Sequence, residues 1–305
     1  MTIDAHVHLF EQLAGCVAEG LVRGDGYGKA FWGNRIVQFI PPFSHNTEFT
    51  AEMLIAFMDW CGISKAVLMQ GPVYGDRNNY VAQVVKKYPG RFTGLAYFDP
   101  WNPVASEQFR MICSAEVFCG IKLECTESCG LFGLHGEASL GMPGLEWLWA
   151  GMEKQGMVLA LDLGKPGNRS YETSAVRSIA KKHSGLKIVI AHLGQPFRGM
   201  GGEDYNKWQE QISLGLSQNI WFDMASLLNY FEEDDFHCAL AAGFIKKAIN
   251  IIGPQKMMWG TDIPTLFMRY TYAQMLKIAE HQLAYLSTHD RELVLGGNAQ
   301  KVYFG

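Results

Sequence analysis

A single closed barrel of eight parallel strands, each backed by a helix, is the α/β fold this sequence predicts. Three observations predict it. Eight short, nearly continuous apolar runs recur along the chain, and each is followed by a segment with helical spacing. That alternation builds a parallel sheet covered on both faces. The chain has 305 residues, 48% of them apolar and 18% charged, enough for one large core and in the size range of a (β/α)₈ TIM barrel with insertions. No Gly-x-Gly-x-x-Gly follows an early strand, which removes the main support for an open doubly wound sheet. With no linker, low-complexity tract or break in composition, residues 1–305 read as one domain.

The first run, Ile3–His8, alternates Ile3, Ala5 and Val7 with Asp4, His6 and His8. This is strand periodicity, and it places the three polar side chains on one face. A long connection follows, about Leu9 to Glu48, rich in glycine and in aromatics (Tyr27, Phe31, Trp32, Phe39, Phe43). Its composition favours an ordered lid or pocket wall. Thr50 to Cys61 reads as a helix with Met53, Leu54, Phe57, Met58 and Cys61 on one stripe; Thr50 is its N-cap and Gly62 its stop. Strand Lys65–Gln70 then pairs with helix Asn78–Tyr88, and Phe92–Phe98 with Val104–Ala115. Cys119–Glu124 leads through a glycine-rich loop to helix Leu145–Gln155. Met157–Leu163 precedes Glu172–Lys182, Leu186–His192 precedes Asp204–Leu216, and Asn219–Met224 precedes His237–Ile252. Lys256–Thr261 is the last strand, followed by helices at about Tyr272–Leu286 and Arg291–Leu295.

Net charge is −4, which argues against nucleic acid or an anionic membrane surface as partner. No stretch of about 18 apolar residues is present, so no membrane span is expected. Met1 is not followed by a basic and then an apolar segment, so the expected location is the cytoplasm. Seven cysteines, with no Cys-x-x-Cys pair, read as reduced thiols. The expected partner is a small-molecule substrate, and a homodimer is expected from the frequency of two-fold assemblies.

In a barrel the chemistry collects at the C-terminal ends of the strands. The polar residues ending the runs here are His6, His8, Gln70, Lys122, Glu124, Asp162, His192 and Asp223, with Asp262 just past the last. By parity Lys122 and Glu124 share a face, as do Ile188, Ile190 and His192. His-x-His alone also fits a solvated edge strand. Several separate strands bringing His or Asp to one mouth favour a shared cation site. A divalent ion held by three or four side chains keeps a position open and lowers the pKa of bound water toward about 7.

Four segments carry a family pattern: Ile3-Asp-Ala-His-Val-His8, Val189-Ile-Ala-His-Leu-Gly194, Trp259-Gly-Thr-Asp-Ile-Pro264 and Leu295-Gly-Gly-Asn-Ala-Gln-Lys-Val-Tyr-Phe304. In this order they resemble the amidohydrolase superfamily, closest to the amidohydrolase-2 branch of aromatic-acid decarboxylases and related small hydrolases. The resemblance implies that His6 and His8 are first-strand metal ligands. It implies that His192 acts mainly on substrate and that Asp262 is both ligand and proton acceptor. The family's fifth strand usually ends in a metal-binding His, and here Asp162 stands at that place. Either Asp162 ligates, giving two His and two carboxylates around one divalent ion, zinc first and manganese second, or the metal is weakly held or lost. The implied activity is a metal-dependent hydrolase acting on a small acidic or cyclic substrate through a metal-activated water. Asp262 would be the base and His192 the donor to the developing oxyanion. The alternatives are a nonoxidative decarboxylase of an aromatic or unsaturated acid, a metal-independent lactonase, and a barrel that only binds ligand.

Lys122 and Glu124 are read as an inward ion pair beside the site, the resemblance offering for Lys122 the alternative of a carboxylated bridging ligand as in binuclear relatives, and Asp4 as support for the metal shell or a neighbouring loop. His135, Arg35, Arg77, Arg198, Arg269, Trp32 and Phe197 are candidates for the pocket, each also readable as a surface or packing group. His45, His183, His237, His281 and His289 read as structural.

Overall fold

The computed structural model describes residues 1–231 and 238–305. Strand β1 (Ile3–His8) is followed by an antiparallel meander of β2 (Ala14–Val17), β3 (Gly20–Gly26), β4 (Lys29–Trp32) and β5 (Arg35–Gln38). Then come β6 (Lys65–Met69), β7 (Phe92–Tyr97), β8 (Phe118–Glu124), β9 (Val158–Asp162), β10 (Lys187–Ile190), β11 (Ile220–Asp223) and β12 (Met257–Met258). With β1 these seven make an eight-stranded sheet whose neighbours follow chain order and pair in parallel. Its two ends meet. Ala5 N donates to Trp259 O (3.0 Å), Asp262 N to His6 O (2.8 Å) and His8 N to Ile263 O (2.9 Å). The result is the (β/α)₈ barrel. Gly260 permits this closure, because a Cβ there would lie 3.1 Å from His6 Cβ and 3.2 Å from His6 N.

Helices Ala51–Cys61, Asn78–Lys87, Ala105–Ser114, Glu146–Lys154, Thr173–Lys182, Gly202–Ile212, Ala239–Ile252 and Tyr272–Gln282 alternate with the strands. The first starts at Thr50, whose side chain accepts from Met53 N, and stops at the left-handed Gly62. His237, expected at the start of one helix, lies outside the described residues. Alternate strand residues split the core in two. Ile3, Ala5, Val67, Leu95, Val158 and Val189 fill the lumen with Val302 and Tyr303 of the C-terminal segment. Val7, Leu68, Ile121, Leu161 and Ile190 face the helices.

Three local features depart from simple alternation. The first is in β1, where the register against β6 shifts between Asp4 and Val7. A bulge reverses the sides of a strand. Ile3 and Ala5 therefore face the lumen while Val7 packs outward, and Asp4 does not share a face with His6 and His8 as the sequence pattern implied. Asp4 is instead buried against the helix Tyr272–Gln282. It accepts from Thr261 N (3.0 Å), Thr261 Oγ1 (2.6 Å) and Tyr272 OH (2.8 Å). Burial pushes its carboxyl up to about 7, against the pull of these donors. Tyr272→Phe removes one donor from this buried acceptor and is expected to cost about 1–3 kcal/mol in denaturant unfolding. A change under about 0.5 kcal/mol would show that the bond is not needed to hold the helix to the wall.

The second feature is the end of β10. The strand stops at Ile190, and His192 (φ 58) and Leu193 (φ 53) are left-handed. Ile188 and Ile190 face outward, so alternation would have sent His192 outward too. The left-handed turn, not strand parity, brings it to the site. The third is the long first connection, which is the meander β2–β5. Tyr27 (φ 48) and Gly28 (φ 74) link β3 to β4, two left-handed residues that match the twist of a two-residue hairpin.

Candidate active site

The strand ends open into a cavity of about 550 Å³, within the range of small-molecule sites. His8, Lys122, Glu124, Asp162, His192 and Asp262 line its floor. Trp32, Phe39, Tyr74 and Tyr230 form its aromatic walls. Among the described lining residues Lys122 and Lys165 are the basic side chains and none is arginine.

Hydrogen bonding fixes the imidazole tautomers on the floor. His8 Nδ1 lies 3.0 Å from Met69 O, a carbonyl that can only accept, so Nδ1 carries the proton. Burial keeps His8 neutral, lowering its pKa against the raising effect of Asp262. Its Nε2 therefore presents a lone pair, and 3.0 Å away is Asp262 Oδ1. Two acceptors face each other. His6 repeats the arrangement: Nδ1 is 3.0 Å from Asp223 Oδ2, and Nε2 points to Asp262 Oδ1 at 3.9 Å. Burial, then the charge of Lys122, holds His6 well below its ordinary value. Asp223 Oδ1 also accepts from His192 N (2.9 Å) and Ala225 N (3.0 Å), so one carboxylate anchors two histidines. Asp262 is itself left-handed at φ 71, strain of a kind that collects at functional sites.

His192 is wired differently. Nδ1 lies 3.0 Å from Ala225 O and Nε2 3.1 Å from Asp162 Oδ2. Both partners accept, so both nitrogens carry protons. Burial alone would depress the imidazole, but the charge and hydrogen bond of Asp162 outweigh it and hold His192 up at about 10. Asp162 also accepts from Gly164 N (3.0 Å) and Gln195 Nε2 (3.2 Å). Next to it Glu124 is raised to about 7, by burial first and then by the Asp162 charge.

The donor set fits a divalent ion on its chemistry: the Nε2 lone pairs of two neutral imidazoles converge with a carboxylate, the one on His6 also being reached by Lys122 Nζ at 3.2 Å. Among the described residues, the set whose donor atoms all lie within 4.8 Å of one another is His6, His192 and Asp262. Both His192 nitrogens are committed to acceptors, so His6, His8 and Asp262 are the better-suited ligands.

Residues 3–305 match the family model described as amidohydrolase. The chain belongs to the amidohydrolase family. No curated protein matches it. Its fold is similar to that of a zinc-bound amidohydrolase from Burkholderia multivorans (TM-score 0.71, 14% identity, 100% of this chain and 99% of that one). It is also similar to a probable 2-pyrone-4,6-dicarboxylic acid hydrolase from Acinetobacter baumannii, crystallised with citric acid (0.68, 19%, 100% and 99%). A third is 5-carboxyvanillate decarboxylase from Sphingomonas paucimobilis (0.58, 17%, 85% and 84%). At these identities the likeness is one of fold.

In this amidohydrolase the residues singled out from the sequence are distributed as follows. His6, His8 and Asp262 come together, and His192 stands beside them. Asp162, expected among the ligands, lines the cavity and accepts from His192, Gly164 and Gln195. Lys122 and Glu124 form the expected ion pair at 3.3 Å. Arg35 pairs with Glu19, Arg77 lies 3.8 Å from Glu11, and neither these nor Arg198 and Arg269 line the cavity. His135 is held by Asp99 at 2.8 Å, outside the lining. Trp32 lines the cavity, whereas Phe197 lies under Lys165 Nζ at 5.7 Å. Sequence reasoning gave no role to Asp223, although its place at the end of β11 was the signal. Nor did it find the contact of Lys122 Nζ with His6 Nε2 (3.2 Å).

Proposed function

We propose that this amidohydrolase is a hydrolase that opens a small cyclic or acidic substrate, with His6, His8 and Asp262 holding one divalent cation. One observation carries the reading: the neutral His8 lone pair faces the Asp262 carboxylate at 3.0 Å, a repulsive contact that a cation turns into two bonds. A bound ion there would polarise a substrate carbonyl and acidify water. Burial would raise the Asp262 carboxyl, but the positive charge of His192 helps to hold it below its ordinary value; its carboxylate accepts the proton of the attacking water. The positive charge of His192, whose N–H groups are taken by Ala225 O and Asp162 Oδ2, stabilises the developing oxyanion through space. Glu124, titrating near neutrality, can hand a proton to the leaving oxygen. Trp32, Phe39 and Tyr74 take the ring of the substrate, and Lys165 takes a single carboxylate.

Metal analysis of the purified protein is expected to find about one divalent ion per chain, zinc before manganese. His6→Ala is expected to lose it and to lose turnover on a panel of small lactones, amides and carboxylic acids. Full turnover in His6→Ala would end the reading. The same panel separates hydrolysis from decarboxylation, because carbon dioxide release would assign the site to the second reaction.

A further inference from the structure

Lys122 reaches the one atom of His6 that a cation needs. Asp223 Oδ2 lies 3.0 Å from His6 Nδ1, which puts the proton on Nδ1 and the lone pair on Nε2. Lys122 Nζ lies 3.2 Å from that Nε2. Of the two nitrogens only the ammonium has a proton to give, so Lys122 donates and His6 accepts. A single imidazole lone pair cannot serve an ammonium and a metal ion at once. Lys122 has a second acceptor within reach, Glu124 Oε2 at 3.3 Å. The ammonium is buried, so it cannot leave one partner without keeping another.

We infer that Lys122 is a resident competitor for the cation position: it caps His6 Nε2 in the cation-free protein and withdraws onto Glu124 when a divalent ion binds. This rests on the reading that His6, His8 and Asp262 hold a cation. Two costs then oppose binding. One hydrogen bond of a buried ammonium is given up, and a positive charge remains within a few ångströms of the ion. The site therefore binds more weakly than its ligands alone would, and it discriminates against ions that cannot displace the lysine. Glu124 is the docking point that makes the exchange possible, and its distance from Lys122 differs from that of His6 by only a tenth of an ångström.

The test is the affinity of chelator-stripped protein for zinc and for manganese, measured by competition with a chromophoric chelator. Lys122→Met keeps the apolar stem and removes both the competing donor and the repelling charge. It is expected to bind at least about tenfold tighter than the wild type, a change of about 1.4 kcal/mol. General damage to the site would weaken binding, so a gain in affinity reads the competition itself. Because Lys122→Met leaves Glu124 without its counter-ion, Lys122→Met/Glu124→Gln carries the same expectation and guards against a poorly folded single variant. Wild-type binding with unchanged or weaker affinity in both variants would overturn the inference and leave the cation site standing. No binding by any of the three would overturn the cation site and the inference together.

Discussion

Asp262→Asn is expected to lower kcat/KM by about 10²–10⁴-fold on any substrate the wild type turns over, the range for loss of a positioned general base. The expectation has two physical parts. The amide cannot accept a proton from water, and it brings no charge to the lone pairs of His6 and His8. Fold damage is not the cause, which a second measurement can show. In the chelator-stripped wild type, Asp262 Oδ1 faces a His8 lone pair at 3.0 Å. The Asn side chain can turn its NH₂ to that lone pair and replace a repulsion with a hydrogen bond. Thermal unfolding of stripped Asp262→Asn is therefore expected at or above the wild-type temperature, while turnover collapses. A variant that keeps wild-type kcat/KM would remove Asp262 from the reaction.

The second large effect is on stability. Asp162→Asn removes the counter-charge of a buried His192, and breaking such a pair costs about 3–5 kcal/mol. Its pH dependence follows from the two shifts. His192 is held at about 10 in the folded protein against an ordinary 6.5. Its share of stability is full below about 6.5 and is lost as the pH rises toward 10. Asp162 lies below its ordinary 3.8, the charge and hydrogen bond of His192 prevailing over burial. Its share is present above 3.8 and is lost as the pH falls below that value. The cost of the substitution should therefore peak between about pH 4 and 6.5 and shrink toward pH 10. Denaturant unfolding of stripped protein at pH 5.5, 7.5 and 9.5 measures it. A cost that is flat across these three values would mean that His192 is not charged in the fold.

Much of this architecture was legible in the chain because burial on both faces leaves a strong mark. Runs such as Lys65–Gln70 and Met157–Leu163 can only be strands inside a covered sheet, and eight of them imply closure. His6, His8 and Asp262 were also legible, the two histidines in the last residues of β1 and Asp262 just past the last strand. What alternation could not carry was any residue placed by an irregular backbone. Asp4 was put on the face of His6 and His8 because the bulge in β1 is invisible in the pattern, and His192 was grouped with Ile188 and Ile190 because its left-handed turn has no signature in composition. Asp162 was read as a ligand by its place in the fifth strand. Gln195 and His192, which donate to it, become its neighbours only after folding. The meander escaped notice because Gly24, Gly26 and Gly28 dilute the apolar alternation of its strands.

That meander, β2 through β5, forms a sheet separate from the barrel, tied to the loop after β6 where Ala14 N donates to Tyr74 O (3.4 Å) and Cys16 N to Pro72 O (3.0 Å). It nevertheless supplies Trp32, and the chain just after it supplies Phe39, to the cavity wall. On the proposed reading, part of what chooses the molecule thus sits on a different stretch of polypeptide from His6, His8 and Asp262. Under the proposed reading, a change at Trp32 or Phe39 alters which molecule fits without replacing a residue of the floor, so a new diet needs no new chemistry.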